Sequence, residues 1–176
     1  MDLHDGAVML LGPTMDPKQA FEINLRLPHL GLRMREHSAR ASEFAQRLQE
    51  IGAQVIYPGL PAHPDHVLAQ ELFHPDYGFG GLLALDMGST ERAFAFMDDL
   101  QNTEQFGYMA VSLGYFDTLM SCSAASTSSE LDEADLRRAG IAPGLVRMSV
   151  GLTGTLEQRW QQLQRAYLAA GGSAGG

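Results

Sequence analysis

Gly144-Leu145-Val146-Arg147-Met148-Ser149-Val150-Gly151 is the stretch on which the reading of this chain turns. Leu145, Val146, Met148 and Val150 give it strand character, and glycines bound it at both ends. The arginine at its centre is out of keeping with a buried strand, because an unpaired guanidinium away from water costs several kcal/mol. Arg147 therefore needs an anionic partner or an outlet to solvent at a strand end. A carboxylate elsewhere in the fold would serve, and so would a ligand carboxylate, which the planar fork of arginine grips with two parallel hydrogen bonds. The strand pattern leaves these options open.

Upstream, Pro143-Gly144 turns the chain into this strand from a short helix capped by Asp132 or Ser129 and ended at Gly140. Before that helix, Ser121-Cys122-Ser123-Ala124-Ala125-Ser126-Thr127-Ser128-Ser129 lacks packing bulk and reads as a loop whose hydroxyls and backbone N–H groups suit a polar ligand. Phe106 to Leu113 reads as a strand running into Ser112-Leu113-Gly114. Gly88-Ser89 caps a helix over Thr90 to Leu100, with Ala93, Phe94, Met97 and Leu100 as its apolar stripe. Leu82 to Met87 is a largely apolar strand entered through Gly78-Phe79-Gly80-Gly81. Those glycines precede a strand and no Lys-Ser/Thr pair follows, so they do not form a phosphate-binding loop.

Gln54 to Tyr57 is a short strand cut by Pro58-Gly59, and a short helix follows from His63-Pro64-Asp65-His66 to Leu72. His63, His66 and His74 lack the spacing and the acidic or thiolate company of a zinc site. Leu30, Met34, His37, Ala41, Phe44, Leu48 and Ile51 recur at helical spacing through a segment from Gly31 to Ile51. Arg33, Arg35, Glu36, Arg40, Glu43, Arg47 and Glu50 fall on its other faces. Pro28 breaks this segment from a preceding helix that Asp16-Pro17 starts. Downstream of Arg147, Thr155-Leu156-Glu157-Gln158 is a capping box opening a last helix packed through Leu156, Trp160, Leu163, Tyr167 and Leu168. Residues 1–15 read as the end of an upstream segment or linker, 16–170 as one small domain, and 171–176 as a flexible tail.

These elements fit an α+β fold: a mainly antiparallel small sheet with helices covering one face. A net charge of −9 argues against nucleic acid as a partner. No apolar run reaches the roughly 18 residues of a membrane span, so a soluble, cytoplasmic protein is the expectation. The single cysteine, Cys122, excludes an internal disulfide. Eleven of the twelve basic residues are arginine, so any chemistry within this chain that needs a lysine must use Lys18. That residue falls in the exposed first turn of its helix.

Several stretches in order resemble one enzyme family. They are Gly31-Leu32-Arg33-Met34-Arg35-Glu36-His37, Tyr57-Pro58-Gly59-Leu60 with His63-Pro64, Gly80-Gly81, Ser112-Leu113-Gly114, and Val146 to Gly151. Together they look like the C-terminal part of the pyridoxal-phosphate enzymes of cysteine and methionine metabolism, the cystathionine γ-synthase and γ-lyase group. Leu10 to Thr14, Gly78 to Leu83 and Met120 to Ser123 are most similar to the plant-type methionine γ-lyase branch. The resemblance spans roughly residues 6–170.

The resemblance implies pyridoxal phosphate as cofactor, a sulfur amino acid as substrate and a homo-oligomer, tetrameric in the family. It further implies the small C-terminal domain of fold-type-I pyridoxal-phosphate enzymes. Arg147 matches the arginine that holds the substrate α-carboxylate, and Ser112 and Leu113 match the segment beside that carboxylate and the Schiff-base lysine. Thr127 matches a threonine of the intervening loop, although the family's Thr-His-Ser reads Thr127-Ser128-Ser129 here. The family's Schiff-base lysine, pyridine-pairing aspartate, stacking tyrosine and phosphate-binding turn match nothing in this chain and would lie upstream. The expectation is a carboxylate-binding part of a carbon–sulfur lyase, with no catalytic or metal-binding residue of its own and inactive alone. The alternative is a non-catalytic module that binds a full-length paralogue or a small carboxylate.

Overall fold

A computed structural model describes residues 12, 14–126 and 132–172. The chain divides into two compact units, Met1–Leu32 and Arg33–Gly176. In the first, helix α1 (Pro17–Arg26) starts where the sequence places it, with the Asp16 carboxylate accepting from the backbone N–H groups of Lys18 and Gln19 at 2.9 and 3.3 Å. Pro28 converts the chain to a 3₁₀ turn over Leu27–His29 rather than ending the helical path, and helix α2 (Leu30–Glu50) follows directly.

The second unit holds a five-stranded sheet. Its strands are β1 (Gln54–Ile56), β2 (Leu82–Asp86), β3 (Tyr108–Met109), β4 (Leu119–Cys122) and β5 (Leu145–Ser149), in the order β1-β2-β5-β4-β3. Only the β3–β4 pair is parallel. Between them run α3 (His66–Leu72), α4 (Thr90–Asp98) extended by a π turn over Asp99–Thr103, and α5 (Glu133–Arg138). The last helix, α6 (Leu156–Ala169), is opened by Thr155 Oγ1 accepting from the Gln158 N–H at 3.2 Å. The α+β class and the mainly antiparallel sheet are as the sequence implied.

The side-chain period of two gives each strand one core face. Leu83, Leu85, Met120, Cys122, Val146 and Met148 are buried in a single cluster with Phe44 and Leu48 of α2, Phe96 and Met97 of α4, and Trp160 and Leu163 of α6. The helical layer thus covers one face, and Leu82, Ala84, Ser121, Arg147 and Ser149 fall on the other.

Besides the path through Pro28, four expectations are corrected. The strand expected over Phe106 to Leu113 shrinks to Tyr108–Met109, because beyond Ala110 the chain leaves the ladder to form the Ser112–Gly114 loop. Ser121 and Cys122 are not loop: with Leu119 and Met120 they form β4, fully buried between β3 and β5. On α4 the inward aromatic is Phe96, while Phe94 is exposed, and Leu30 and Leu168 are likewise exposed. Arg40 is buried rather than solvated: its Nε pairs with Glu36 at 2.6 Å and its two Nη groups donate to the carbonyls of Thr153 and Gly154 at 2.9 and 3.0 Å.

Candidate functional site

Arg147 sits in the middle of β5, between Ala84 on β2 and Ser121 on β4, on the face away from the helices. The sequence left its partner open, and the structure supplies no carboxylate: among the described residues Arg147 forms no ion pair. Its Nη2 donates instead to the backbone carbonyl of Ser112 at 3.0 Å. The Nε is shielded from solvent and has no hydrogen-bond partner among the described residues, while the side chain as a whole is half-buried. The guanidinium is therefore held from one side and keeps N–H groups open to an incoming anion.

The Ser112-Leu113-Gly114 loop is braced from two further directions. The Gly114 N–H donates to Ser149 Oγ at 2.9 Å, and Arg33 Nη2 donates to the Gly114 carbonyl at 2.9 Å. The resemblance set Ser112 and Leu113 beside the carboxylate that Arg147 would hold, and in the structure Arg147 contacts this loop through the backbone carbonyl of Ser112. Ser112 and Leu113 are exposed and line an open groove of about 520 Å³ with Tyr108, Ala110, Tyr115 and Leu119. Thr127 lies outside the described residues.

Sequence reasoning missed what fixes the end of β5. His37 Nδ1 lies 2.6 Å from the Val150 carbonyl, an oxygen that can only accept, so Nδ1 carries the proton. Asp117 is buried, its Oδ1 accepting from the Thr118 N–H at 2.8 Å and the Thr153 hydroxyl at 2.7 Å. Arg159 adds bonds to the Thr153 carbonyl and hydroxyl at 3.1 and 2.8 Å. These bonds tie down the chain at Val150 and Thr153, just beyond the strand that bears Arg147. The helical spacing put His37 on the packing stripe of its helix without naming its partner, and no pattern in the sequence singled out Asp117, Thr153 or Arg159.

Of the histidines considered for metal, His63 Nδ1 accepts from the Asp65 N–H at 3.1 Å, and His66 Nδ1 donates to the Pro58 carbonyl at 2.7 Å. Tyr57 is buried beneath the same loop, donating to the Gly80 carbonyl at 3.0 Å, and burial pushes its hydroxyl up to about 12. Lys18 is exposed in the first turn of α1. A Schiff-base lysine is activated by desolvation or a neighbouring cation, so this residue does not fit that role.

The sequence pattern of the Cys/Met metabolism PLP-dependent enzymes matches residues 4–161. The chain is 60% identical over 168 residues to methionine gamma-lyase of Arabidopsis thaliana, which covers 96% of this chain and 38% of that protein. It is 33% identical over 150 residues to O-succinylhomoserine sulfhydrylase of Pseudomonas aeruginosa, covering 84% of this chain and 36% of that protein. Its fold superposes with a TM-score of 0.79 on the crystal structure of cystathionine gamma synthase from Xanthomonas oryzae pv. oryzae, in complex with aminoacrylate and cysteine. That likeness has 30% identity and covers 92% of this chain and 40% of that one. The chain thus spans about two fifths of the length of these relatives.

Proposed function

This chain belongs to the Cys/Met metabolism PLP-dependent enzyme family, and on that premise we propose that it is the substrate-carboxylate-binding part of a carbon–sulfur lyase. The substrate is a sulfur amino acid, and methionine is favoured by the 60% identity to the Arabidopsis methionine gamma-lyase. The overall reaction is α,γ-elimination of methionine with water to methanethiol, 2-oxobutyrate and ammonia. The observation that carries the reading is the Arg147 guanidinium, anchored to the Ser112 carbonyl and lacking a carboxylate partner among the described residues.

Pyridoxal phosphate, when bound, supplies the electron sink for bond cleavage next to the amino-acid nitrogen. The part played by this chain is orientation. Arg147 presents N–H donors that take a carboxylate in a two-pronged, charge-assisted grip, which fixes both the position and the plane of that group. The hydrogen bond to Ser112 holds the guanidinium in place, and Ser149 and Arg33 hold the loop that carries Ser112. Binding energy spent on the carboxylate thereby aligns the reacting end of the substrate.

Lys18 does not fit the cofactor's lysine linkage and no other lysine is present, so the 176-residue chain by itself should turn over nothing. Residues 16–170 are read as the small C-terminal domain, and the homotetramer and cytoplasmic placement that the resemblance implies belong to the same proposal. Among the described residues no helix is long and apolar enough to cross a membrane. The test is a chimera in which this chain replaces the matching segment of the Arabidopsis relative. Methanethiol and 2-oxobutyrate should form from L-methionine and pyridoxal phosphate with the chimera and not with the chain alone. A folded chimera that binds the cofactor and releases neither product would refute the reading.

A further inference from the structure

Two of the buried polar atoms left without a partner face each other across one rung of the sheet. Ser121 on β4 and Arg147 on β5 are direct register partners, so their side chains rise from the same face with Cβ atoms about 5 Å apart. Ser121 Oγ and Arg147 Nε are both shielded from solvent, and among the described residues neither makes a hydrogen bond. No other neighbour of the guanidinium among the described residues bonds to Nε. Ala84, its partner on β2, has no polar side-chain atom, and the Ser149 hydroxyl already accepts from the Gly114 N–H.

The shielding decides what these atoms do. A carboxylate oxygen is as large as a water oxygen, so a ligand reaching the outer nitrogens of Arg147 cannot touch atoms that water does not touch. The Nε–H can only donate, whereas the serine hydroxyl accepts readily and swings between staggered rotamers. Leaving both unpaired beneath a bound anion is unfavourable, and one rotation of Ser121 satisfies both.

We propose that Ser121 is a positioning residue for Arg147, its hydroxyl taking the Nε–H across the β4–β5 ladder and fixing the plane in which the outer nitrogens meet a carboxylate. This rests on the reading of Arg147 as the carboxylate anchor. Ser112 then holds the guanidinium by Nη2 and Ser121 holds it by Nε, so that the group has no free rotation about its stem.

The side-chain Nε–H signal of Arg147 in a nitrogen-15 NMR spectrum of the full chain, assigned by its disappearance in Arg147→Lys, reads this contact directly. Ser121→Ala should speed exchange of that proton with solvent by about tenfold or more, the population shift expected when one hydrogen bond is lost. Ser121→Thr keeps a hydroxyl and should restore slow exchange. Ser121→Cys, close in shape but with a weak acceptor sulfur, should behave like the alanine variant. Backbone amide spectra establish that each variant is folded. Exchange in Ser121→Ala and Ser121→Cys within about twofold of the parent would overturn the proposal, since loss of one hydrogen bond predicts more. That failure would leave the carboxylate role of Arg147 standing, because the latter is decided by substrate kinetics of Arg147 variants.

Discussion

Gly151→Ala should cost the fold heavily, and the reason is steric rather than conformational. A Cβ added at Gly151 would lie 2.3 Å from the carbonyl carbon of Asp117, 2.4 Å from the Thr118 nitrogen and 2.6 Å from the Asp117 Cα. All three are backbone atoms, so no side chain can swing away. Raising 2.3 Å to the 3.4 Å where ordinary contact begins moves the 117–118 backbone by roughly 1 Å. That backbone is tied on every side. Gly151 N–H donates to Thr118 Oγ1 at 2.9 Å, Thr153 Oγ1 donates to Asp117 Oδ1 at 2.7 Å, Tyr108 N–H donates to the Thr118 carbonyl at 2.9 Å and Leu152 N–H donates to the Phe116 carbonyl at 2.7 Å.

Overpacking of about 1–3 kcal/mol plus two hydrogen bonds at about 1 kcal/mol each gives a loss of about 3–5 kcal/mol. Urea unfolding followed by circular dichroism measures it, and the midpoint should fall at nearly constant slope. A loss below about 1 kcal/mol would show that the 117–118 segment yields freely and that these bonds do not hold the end of β5 in place.

Three further outcomes follow from the same packing. Met148→Ala removes a side chain with no exposed surface at the centre of the sheet's core face, and should lower stability by about 2–5 kcal/mol in the same assay. Arg165 donates to both oxygens of Glu104 at 2.8 and 2.5 Å and holds that carboxyl below the usual range. A depressed folded-state value contributes stability that is present above the unfolded value near about 4.3 and lost as the pH falls through the folded value. Glu104→Gln should therefore be less stable than the parent at neutral pH, and the difference should shrink on acidification, as urea midpoints across pH will show. Tyr57, raised by burial to about 12, has the opposite sign: its contribution is full below about 10 and lost as the pH climbs through that window. Alkaline ultraviolet titration should find one tyrosine that ionises late or only with unfolding.

Local pattern carried much of this fold because it was locally determined. The caps at Asp16, Ser89 and Thr155 accept the N–H bonds their positions demand, and β5 forms where its apolar run lies. What local pattern could not carry was decided by neighbours far along the chain. β4 contains Ser121 and Cys122, small residues that read as loop, and becomes a strand because β3 and β5 flank it. Arg40 is buried because the Thr153 and Gly154 carbonyls, more than a hundred residues away, replace its water. Arg147 stood out as an arginine in an apolar strand, but its partner is a main-chain carbonyl, which no side-chain pattern advertises. Ser112 and Leu113 entered through a family resemblance, and the loop's contact with Arg147 depends on a turn that the strand pattern of 106–113 concealed.

The central claim is that Arg147 binds the carboxylate of the substrate. It is tested most directly by the kinetics of Arg147→Met in the chimera with the Arabidopsis relative, with cofactor binding checked by its visible absorbance. Loss of a two-pronged charge-assisted grip worth about 2–4 kcal/mol predicts a fall of roughly 30-fold to 1000-fold in kcat/KM for L-methionine, with the cofactor still bound. Activity within about threefold of the parent would contradict it.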